Sequence, residues 1–524
     1  MRMLRMGADA VLVEVDGLAA AVALHARLVA DPPRGVVDIV PAARTVLVRA
    51  DPRALSSEGA RAWIARAAAT PADPPPPRAE IVVPVDYDGA DLAETAGLLG
   101  MSPKALVARH ERAAWSVAFT GFAPGFAYLV GDGWDLDVPR RAAPRTRVPA
   151  GSVALAGPFS GAYPRETPGG WQLIGTTDAV LFDPDADRPA LLTPGAAVRF
   201  AATRPVSLGR GAIDAGPRAG GEGAQAPGSG IRVLATGARA TFQDAGRPGR
   251  AAEGIARSGA ADPPAWALAN RLLGNRPDAA AIEVVLGGFR AVAERDLAVA
   301  VTGGWAPLTI DGRPCDPYVV HPWAAGAELR MDALVGGARA YVAVRGGWLA
   351  PAAAGSRSTD TLSGLGPAPV RAGDRVAAGD ETAGAIPALP LHPWGLPPAA
   401  TDAAPLEVPF VPGPRDDWIT TASRRALAEA VWTVSAEADR IGIRLDGPPL
   451  ERARTDELPS EGMLPGAIQV PPSGSPVVFG VDGPVTGGYP VVGVVTAAGR
   501  ARLAQARPGD RVRLRPAAAS PAEW

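Results

Sequence analysis

A chain of 524 residues with 47% hydrophobic and 20% charged side chains has ample material for a packed core, and its length suits three or four domains. A formal net charge of −2 removes any electrostatic case for nucleic acid or an anionic membrane surface as partner. Cys315 is the single cysteine, which excludes an internal disulfide and a cysteine-cluster metal site.

The opening MRMLRMGADAVLVEV has no signal-peptide apolar core, and no run is long enough to span a membrane, so a soluble cytoplasmic protein is expected. Residues 1–78 read as a small α+β domain. DAVLVEV, VVDIV and TVLVRA are strands, LAAAVALHARLVA is a helix by its period, and SSEGARAWIARAAA is a helix opened by a serine cap. PADPPPPRAE (Pro71 to Glu80) is a linker, because each proline removes a backbone donor. Residues 79–205 read as a β-barrel, with helical stretches DLAETAGLLG and SPKALVARHERA followed by short Gly/Pro-punctuated strands. Residues 206–229, rich in Gly, Ala and Pro, cannot bury enough surface to order themselves and form a disordered linker. Residues 230–384 form a first β-rich domain with one clear helix, PPAWALANRLLG. A Pro-rich stretch from Ala385 leads to a second β-barrel over 400–518, with the helix ASRRALAEAV. The fold class is therefore α+β, mainly β, in two tandem modules. VPAGSVALAG…AYP parallels LPGAIQVPPSG…GGYP, which reads as one hairpin repeated in two related barrels.

Lys104 is the only lysine. A G-x-x-x-x-G-K-[ST] phosphate loop is therefore excluded, as is a Schiff-base lysine elsewhere, and GMSPKALVARH is not a biotin attachment site. Any ATP must be held by arginines, helix N-termini and backbone amides. No G-x-S-x-G elbow is present, and the four histidines lack metal-ligand spacing, so no metal site is expected.

Two signatures lie in different halves: VAFTGFAPGFAYL with PRRAAPRTRVPAGSVALAGPFSGAYPRETPGGWQLIGTT, and TFQDAGRPG, SGAADPPAWALANRLLGN, GSRSTDTLSGLG and SEGMLPGAIQVPPSGSPVVFGVDGPVTGGYP. They resemble the B and C components of bacterial ATP-dependent 5-oxoprolinase, families also known as allophanate hydrolase subunits 1 and 2, or Kip. The resemblance covers roughly residues 5–205 and 230–518. It implies cyclophilin-like barrels, the first behind the small α+β domain. It also implies ATP-driven, Mg-assisted opening of the 5-oxoproline lactam to glutamate, with a separate LamB/YcsF-like A component of 5-oxoprolinase as partner. No biotin is attached to this chain. Two alternatives stand beside it: carboxyl transfer to urea or a related amide with separate biotin carboxylase and carrier, and a Kip-type regulator of a histidine kinase. A homo-oligomer is left open.

Arg140 and Arg145 match the family's Pro-Arg…Pro-Arg pair. They either grip a substrate carboxylate or phosphate, or belong to a solvated loop paired with Glu166. His110, in matched context, is a candidate general base or a structural histidine. Gln243, Asp244 and Arg247 share a Gly-rich turn and are expected substrate contacts, although the two charged residues could simply pair. Ser258, an expected substrate contact, precedes the helix for which Asp262 is a natural N-cap. Glu283, in the apolar strand AIEVVLGG, must be paired or functional, and is a candidate catalytic carboxylate. Arg357 and Ser358 in GSRSTD suit an anionic or amide ligand, or an ordinary polar loop. In the last domain, Asp482 is a candidate catalytic carboxylate and Thr486 a substrate contact. Gln469, facing opposite to Ile468 and Val470, is expected to read the lactam amide. The substrate pocket is expected between the halves.

Overall fold

The computed structural model describes residues 1–70, 80–141, 143–186, 188–203, 230–393, 404–456 and 458–517. The expected linker at 206–229 and nearly all of the one at 71–80 lie outside the described residues.

The first unit is a four-stranded antiparallel sheet in the order Arg2–Arg5, Ala10–Glu14, Thr45–Ala50, Val36–Pro41. Its helices are Leu18–Ala30 and Ser57–Ala69, the latter capped by the Ser56 hydroxyl, which accepts from Gly59 N at 3.1 Å. Strand alternation divides the apolar residues between two surfaces. Val11, Val13, Val46 and Val48 pack with Leu24, Leu28, Trp63 and Ile64 of the helices. Ala10, Leu12, Val40 and Leu47 pack with Val411, Met463, Leu464, Val491 and Val494, near the other end of the chain. A sheet buried on both faces needs continuous apolar runs, and that is why DAVLVEV and TVLVRA do not alternate with polar residues.

The chain then builds a seven-stranded barrel in the spatial order Ile81–Val85, Ala197–Ala202, Ala114–Thr120, Ala127–Asp132, Phe159–Ala162, Ser152–Ala156, Gln172–Thr176. A bridge between Asp86 and Thr176 nearly closes it. Residues 230–377 form a β-sandwich: a six-stranded and a five-stranded sheet share one core that includes Val233, Phe289 and Met331 from one sheet and Ile282, Val301 and Val342 from the other. Helix Pro263–Leu272 covers the outer face of the five-stranded sheet through Trp266, Ala269 and Leu272, which meet Ala281, Tyr341 and Ala343. The last unit is a closed barrel in the order Leu406–Pro412, Arg511–Pro516, Trp432–Val434, Gly442–Asp446, Val477–Phe479, Ala467–Gln469, Val491–Val495.

The two barrels have the same topology strand for strand, including a parallel pair between first and last strand (Ile81 with Val198, Leu406 with Val512). VPAGSVALAG and LPGAIQV do occupy equivalent strands, each entered through a glycine with positive φ, Gly151 (79°) and Gly466 (93°). The expected match of the two Tyr-Pro pairs does not hold. Each barrel carries an accessory two-stranded ribbon, Arg145–Val148 with Thr167–Gly169 and Glu461–Gly462 with Thr486–Gly487. Through the ribbon, T-P-G-G-W (167–171) corresponds to T-G-G-Y (486–489), so Thr167 matches Thr486 and Trp171 matches Tyr489. Tyr163 lies before its ribbon strand and Tyr489 after its own, so they are unrelated.

The same equivalence shows a charge reversal. In the first barrel Asp91 N donates to Leu173 O (2.9 Å), and Asp91 accepts from Arg145 Nη2 (2.7 Å) and Arg141 Nη1 (2.9 Å). In the second, Arg415 N donates to the equivalent Val491 O (3.0 Å), and Arg415 pairs with Glu461 and with Glu14 (2.9 Å).

The halves interlock at several points. A β-carbon on Gly121 would overlap the Thr486 hydroxyl, and Thr120 Oγ1 donates to Ala252 O (2.5 Å). Arg165 donates to the carbonyls of Ser363 and, at 2.7 Å, Leu362. The apolar contact outweighs these. Each fully buried Leu, Val or Met contributes about 1.5–3 kcal/mol, against about 0–1 kcal/mol for an exposed ion pair. We therefore expect protease cleavage within 206–229 to leave two fragments that co-elute in gel filtration at high salt. Separation into two independent species would contradict the interlock.

Candidate functional site

Strand alternation sends Ile282 and Val284 into the sandwich core and Glu283 to the opposite face, under the helix. There Glu283, fully buried, accepts from Arg440 Nη1 (2.8 Å), Tyr341 Oη (2.7 Å) and Ala261 N (3.0 Å). Arg440 enters from the second barrel. Its Nε and Nη2 donate to the two oxygens of Asp482 (2.9 Å each), and Nη2 also reaches Gly259 O (2.7 Å) and Gln243 Oε1 (3.2 Å). Asp482, with no exposed surface, further accepts from Ser258 Oγ (2.8 Å), Thr361 N (2.9 Å) and Thr361 Oγ1 (2.8 Å). Burial pushes the Glu283 and Asp482 carboxyls up, but the guanidinium charges, Arg440 foremost, outweigh it and hold both below the usual range. Burial and the Asp482 charge raise Asp360, next to Thr361.

A second cluster adjoins the first. Asp244 accepts from Ser356 Oγ (2.6 Å), Ser358 Oγ (2.5 Å), Arg357 N (2.7 Å) and Gly246 N (2.8 Å), which fastens the GSRSTD loop to the QDAGRPG turn. Arg247 does not pair with Asp244. Its Nε and Nη2 donate to Ala353 O (2.9 Å) and Ser358 O (2.6 Å), and Nη1 is buried without a partner among the described residues. Arg357 is half-buried, with Nε likewise unpartnered. Asp262 is the helix N-cap, accepting from Ala265 N (3.2 Å), as expected from the sequence. The left-handed residue after that helix is Gly274 (φ 64°), and Asn275 Nδ2 donates to Asn270 Oδ1 and Val344 O.

Gln243, Ser258, Glu283 and Asp482 thus converge on Arg440, while Asp244, Arg247 and Ser358 form the adjoining lock. His110, Arg140 and Arg145 lie apart, in the first barrel. His110 is fully buried, stacked on Phe200 at 4.5 Å, with one hydrogen bond between Nδ1 and Tyr87 Oη and one between Nε2 and Ser160 Oγ, both 2.8 Å. Burial lowers its pKa to about 3. The equivalent position in the second barrel is Leu427: Trp115 Nε1 donates to His110 O (2.8 Å) as Trp432 Nε1 donates to Leu427 O (3.3 Å). His110 is a core residue that no substrate proton reaches, which corrects the general-base alternative. Glu283 and Asp482 are also sealed, so neither is placed to exchange protons with a ligand. Arg147 is the arginine that meets Glu166 (2.5 Å), Arg145 is held by Asp91, and Arg140 is exposed.

Gln469 is already engaged, its Nε2 donating to Tyr489 O (2.9 Å) and lying 3.3 Å from Met463 Sδ. That commitment corrects the expectation that it offers both amide functions to a lactam. Thr486 sits at the seam against Gly121. Sequence reasoning gave Arg440 no special weight and missed Tyr341, Thr361, Asp91 and Arg165. Arg440 lies in the bend before the strand Gly442–Asp446, and no local pattern set it apart from the chain's other arginines. Among the described residues, no group of three or more His, Cys, Asp or Glu is placed to hold a metal, and no helix is long and apolar enough to cross a membrane.

Residues 253–516 match the carboxyltransferase domain, subdomain A and B, and residues 1–192 match the carboxyltransferase domain, subdomain C and D. The chain belongs to this carboxyltransferase-domain family and joins, in one polypeptide, parts similar to two 5-oxoprolinase components, B and C. It is 34% identical over 280 residues to the C component of 5-oxoprolinase from Escherichia coli K12, covering 52% of this chain and 87% of that protein. It is 53% identical over 123 residues to the B component of 5-oxoprolinase from Escherichia coli O157:H7, covering 23% of this chain and 56% of that protein. Urea amidolyase of Saccharomyces cerevisiae is 31% identical over 304 residues, and the chain spans only 16% of that protein's length. The crystal structure of TTHA0988 superposes with a TM-score of 0.81 at 32% identity, covering 98% of this chain and all of that one.

Two outcomes follow. Arg440→Ala leaves the buried Asp482 without its guanidinium and Glu283 with only Arg339 (3.5 Å) as counter-charge, and urea unfolding should show a loss of about 3–5 kcal/mol. A loss under about 1 kcal/mol would show the centre to be dispensable. For His110, the unfolded chain takes up a proton near pH 6.5 and the folded protein only near 3, so its contribution is full above pH 6.5 and shrinks as pH falls. Between pH 7 and 5, wild type should lose about 2 kcal/mol more than His110→Leu. Parallel stability curves would contradict the neutral, sealed histidine.

Proposed function

We propose that this protein is the fused B and C component of an ATP-dependent 5-oxoprolinase, opening the 5-oxoproline lactam to L-glutamate together with a separate A component. The observation that carries the reading is the interlock: one chain holds parts similar to both components, joined across Thr486–Gly121 and Arg165–Ser363. Two separate chains would have to build the same seam.

Amide resonance makes an unstrained lactam a poor electrophile. Transfer of the γ-phosphoryl group of ATP to the lactam oxygen turns that oxygen into a leaving group. Water then adds at the same carbon, the ring C–N bond breaks as the nitrogen takes up a proton, and a second water hydrolyses the acyl phosphate so formed, releasing phosphate and the glutamate carboxylate. In this reading the chain's part is to bind and orient. Arginines meet the anionic groups, with Mg²⁺ arriving on the nucleotide, and exposed Arg140 at the first-barrel loop is a candidate for that work. The sealed state of His110, Glu283 and Asp482 supports a division of labour in which the A component supplies the acid–base group.

Carboxyl transfer to urea or a related amide is the second reading, favoured by the family's carboxyltransferase domains. The two separate by assay. The purified chain mixed with the A component should release glutamate only when ATP and 5-oxoproline are both present. No glutamate under those conditions, with carboxylation of urea when biotin carboxylase and biotinyl carrier are added, would select the second.

A further inference from the structure

The ribbon of the first barrel keeps hydrogen-bonding capacity that the protein itself does not use. Asp91 is saturated: Oδ1 accepts from Arg141 Nη1 (2.9 Å) and Arg145 Nη2 (2.7 Å), and Oδ2 accepts from Leu173 N (2.8 Å). Beyond that carboxylate, Arg141 Nε and Arg145 Nη1 are buried N–H groups without an acceptor among the described residues. Gln172, adjacent to Leu173 and 3% exposed, donates Nε2 to Pro139 O (3.0 Å), and its Oε1 is buried without a donor among the described residues. Arg141 N donates to Gly170 O (2.9 Å), which brings the arginine loop onto the segment that carries Gln172. Tyr163 stands close by: a β-carbon on Gly169, the register partner of Arg145, would overlap its hydroxyl.

The second barrel supplies an internal comparison. Its equivalent ribbon satisfies Arg415 with both Glu461 and Glu14, and Pro490 stands where the first barrel has Gln172. That ribbon also packs under the N-terminal sheet, with Gly462 against Leu47. The unmet groups therefore do not come with the fold. They belong to the first barrel, where two donors and one acceptor lie around one carboxylate-anchored turn. Buried polar groups are costly when left unmet, and this set matches a definite chemistry. Two guanidinium N–H groups call for a carboxylate, and an amide oxygen calls for an N–H donor.

We propose that Arg141, Arg145 and Gln172 form a binding site for a small carboxylated amide, the guanidinium groups holding its carboxylate and Gln172 Oε1 accepting its amide N–H. Asp91 is the positioning residue that fixes both arginines. The identification of that ligand with 5-oxoproline rests on the function proposed above; the site itself rests on the ribbon.

The test is calorimetric titration of the intact protein with 5-oxoproline, 2-pyrrolidinone (the same lactam without carboxylate), N-acetylglycine and allophanate. We compare wild type, Gln172→Leu, Gln172→Glu and Arg145→Lys, and follow each variant by thermal unfolding. Wild type should bind 5-oxoproline and bind 2-pyrrolidinone at least a hundredfold more weakly. Gln172→Leu should weaken 5-oxoproline about ten- to a hundredfold with the melting transition kept. In Gln172→Glu the new carboxylate takes the arginine donors, so binding should be lost although the fold is at least as stable. If the protein turns over 5-oxoproline but both Gln172 variants bind it like wild type, this site is wrong and the proposed function stands. If 5-oxoproline fails to bind while another carboxylated amide binds and depends on Gln172, the site stands and the 5-oxoprolinase reading falls. If none of the four compounds binds wild type, the site proposal is overturned.

Discussion

The guanidinium of Arg440 is the point from which the arrangement of this protein is set. It carries one positive charge between two buried carboxylates, and each carboxylate belongs to a different structural unit: Glu283 to the sandwich, Asp482 to the second barrel. Asp482 in turn fixes Thr361, and the carbonyls just after Thr361 are gripped by Arg165 of the first barrel. One continuous series of charge-assisted hydrogen bonds therefore runs through three units. A buried ion pair gives little net stability relative to an apolar core of the same shape, since desolvation cancels most of the attraction. What it gives here is position, because one guanidinium bonds both acids only where the sandwich and the barrel meet as they do.

Around that centre the molecule repeats itself. Two barrels of one topology each carry an accessory ribbon, and each ribbon is pinned by an ion pair at the same backbone position with the signs exchanged. In the second barrel the ribbon is covered by the N-terminal sheet, and a residue of that sheet, Glu14, completes the pair. In the first barrel Arg141 of the chain's own loop completes it, and the ribbon stays partly open. A duplicated element has thus been used once to join the halves and once, on our reading, to present polar groups to a ligand.

Much of this was legible in the sequence. Ser56, Ser102 and Asp262 cap the helices that their positions announce. Glu283 could be recognised as paired because a lone carboxylate in a β-branched strand has no other stable state. The Pro-x-Gly entry to equivalent strands was visible because the left-handed turn demands glycine. Other features depend on distant contacts that no local pattern encodes. His110 is sealed by Phe200, far along the chain, so its neighbours in sequence say nothing of its burial. Gln469 is spent on Tyr489 O, which lies across the barrel's own ribbon. The helix Ala497–Ala504 was missed because Gly499 interrupts it; that glycine is there because a β-carbon would press on Pro409 O at 2.6 Å. Arg440 was hidden by composition, as one arginine in a chain whose cations are nearly all arginine.

The central claim is that the buried guanidinium couples segments far apart in sequence. Hydrogen–deuterium exchange on Arg440→Met tests it directly, because exchange resolves local opening segment by segment. Protection should fall together in 258–262, in 360–365 and in 482–487, and the loss should extend to the first-barrel residues around Arg165. A loss confined to the residues flanking position 440, with the Thr361 loop and the Arg165 segment as protected as in wild type, would contradict it.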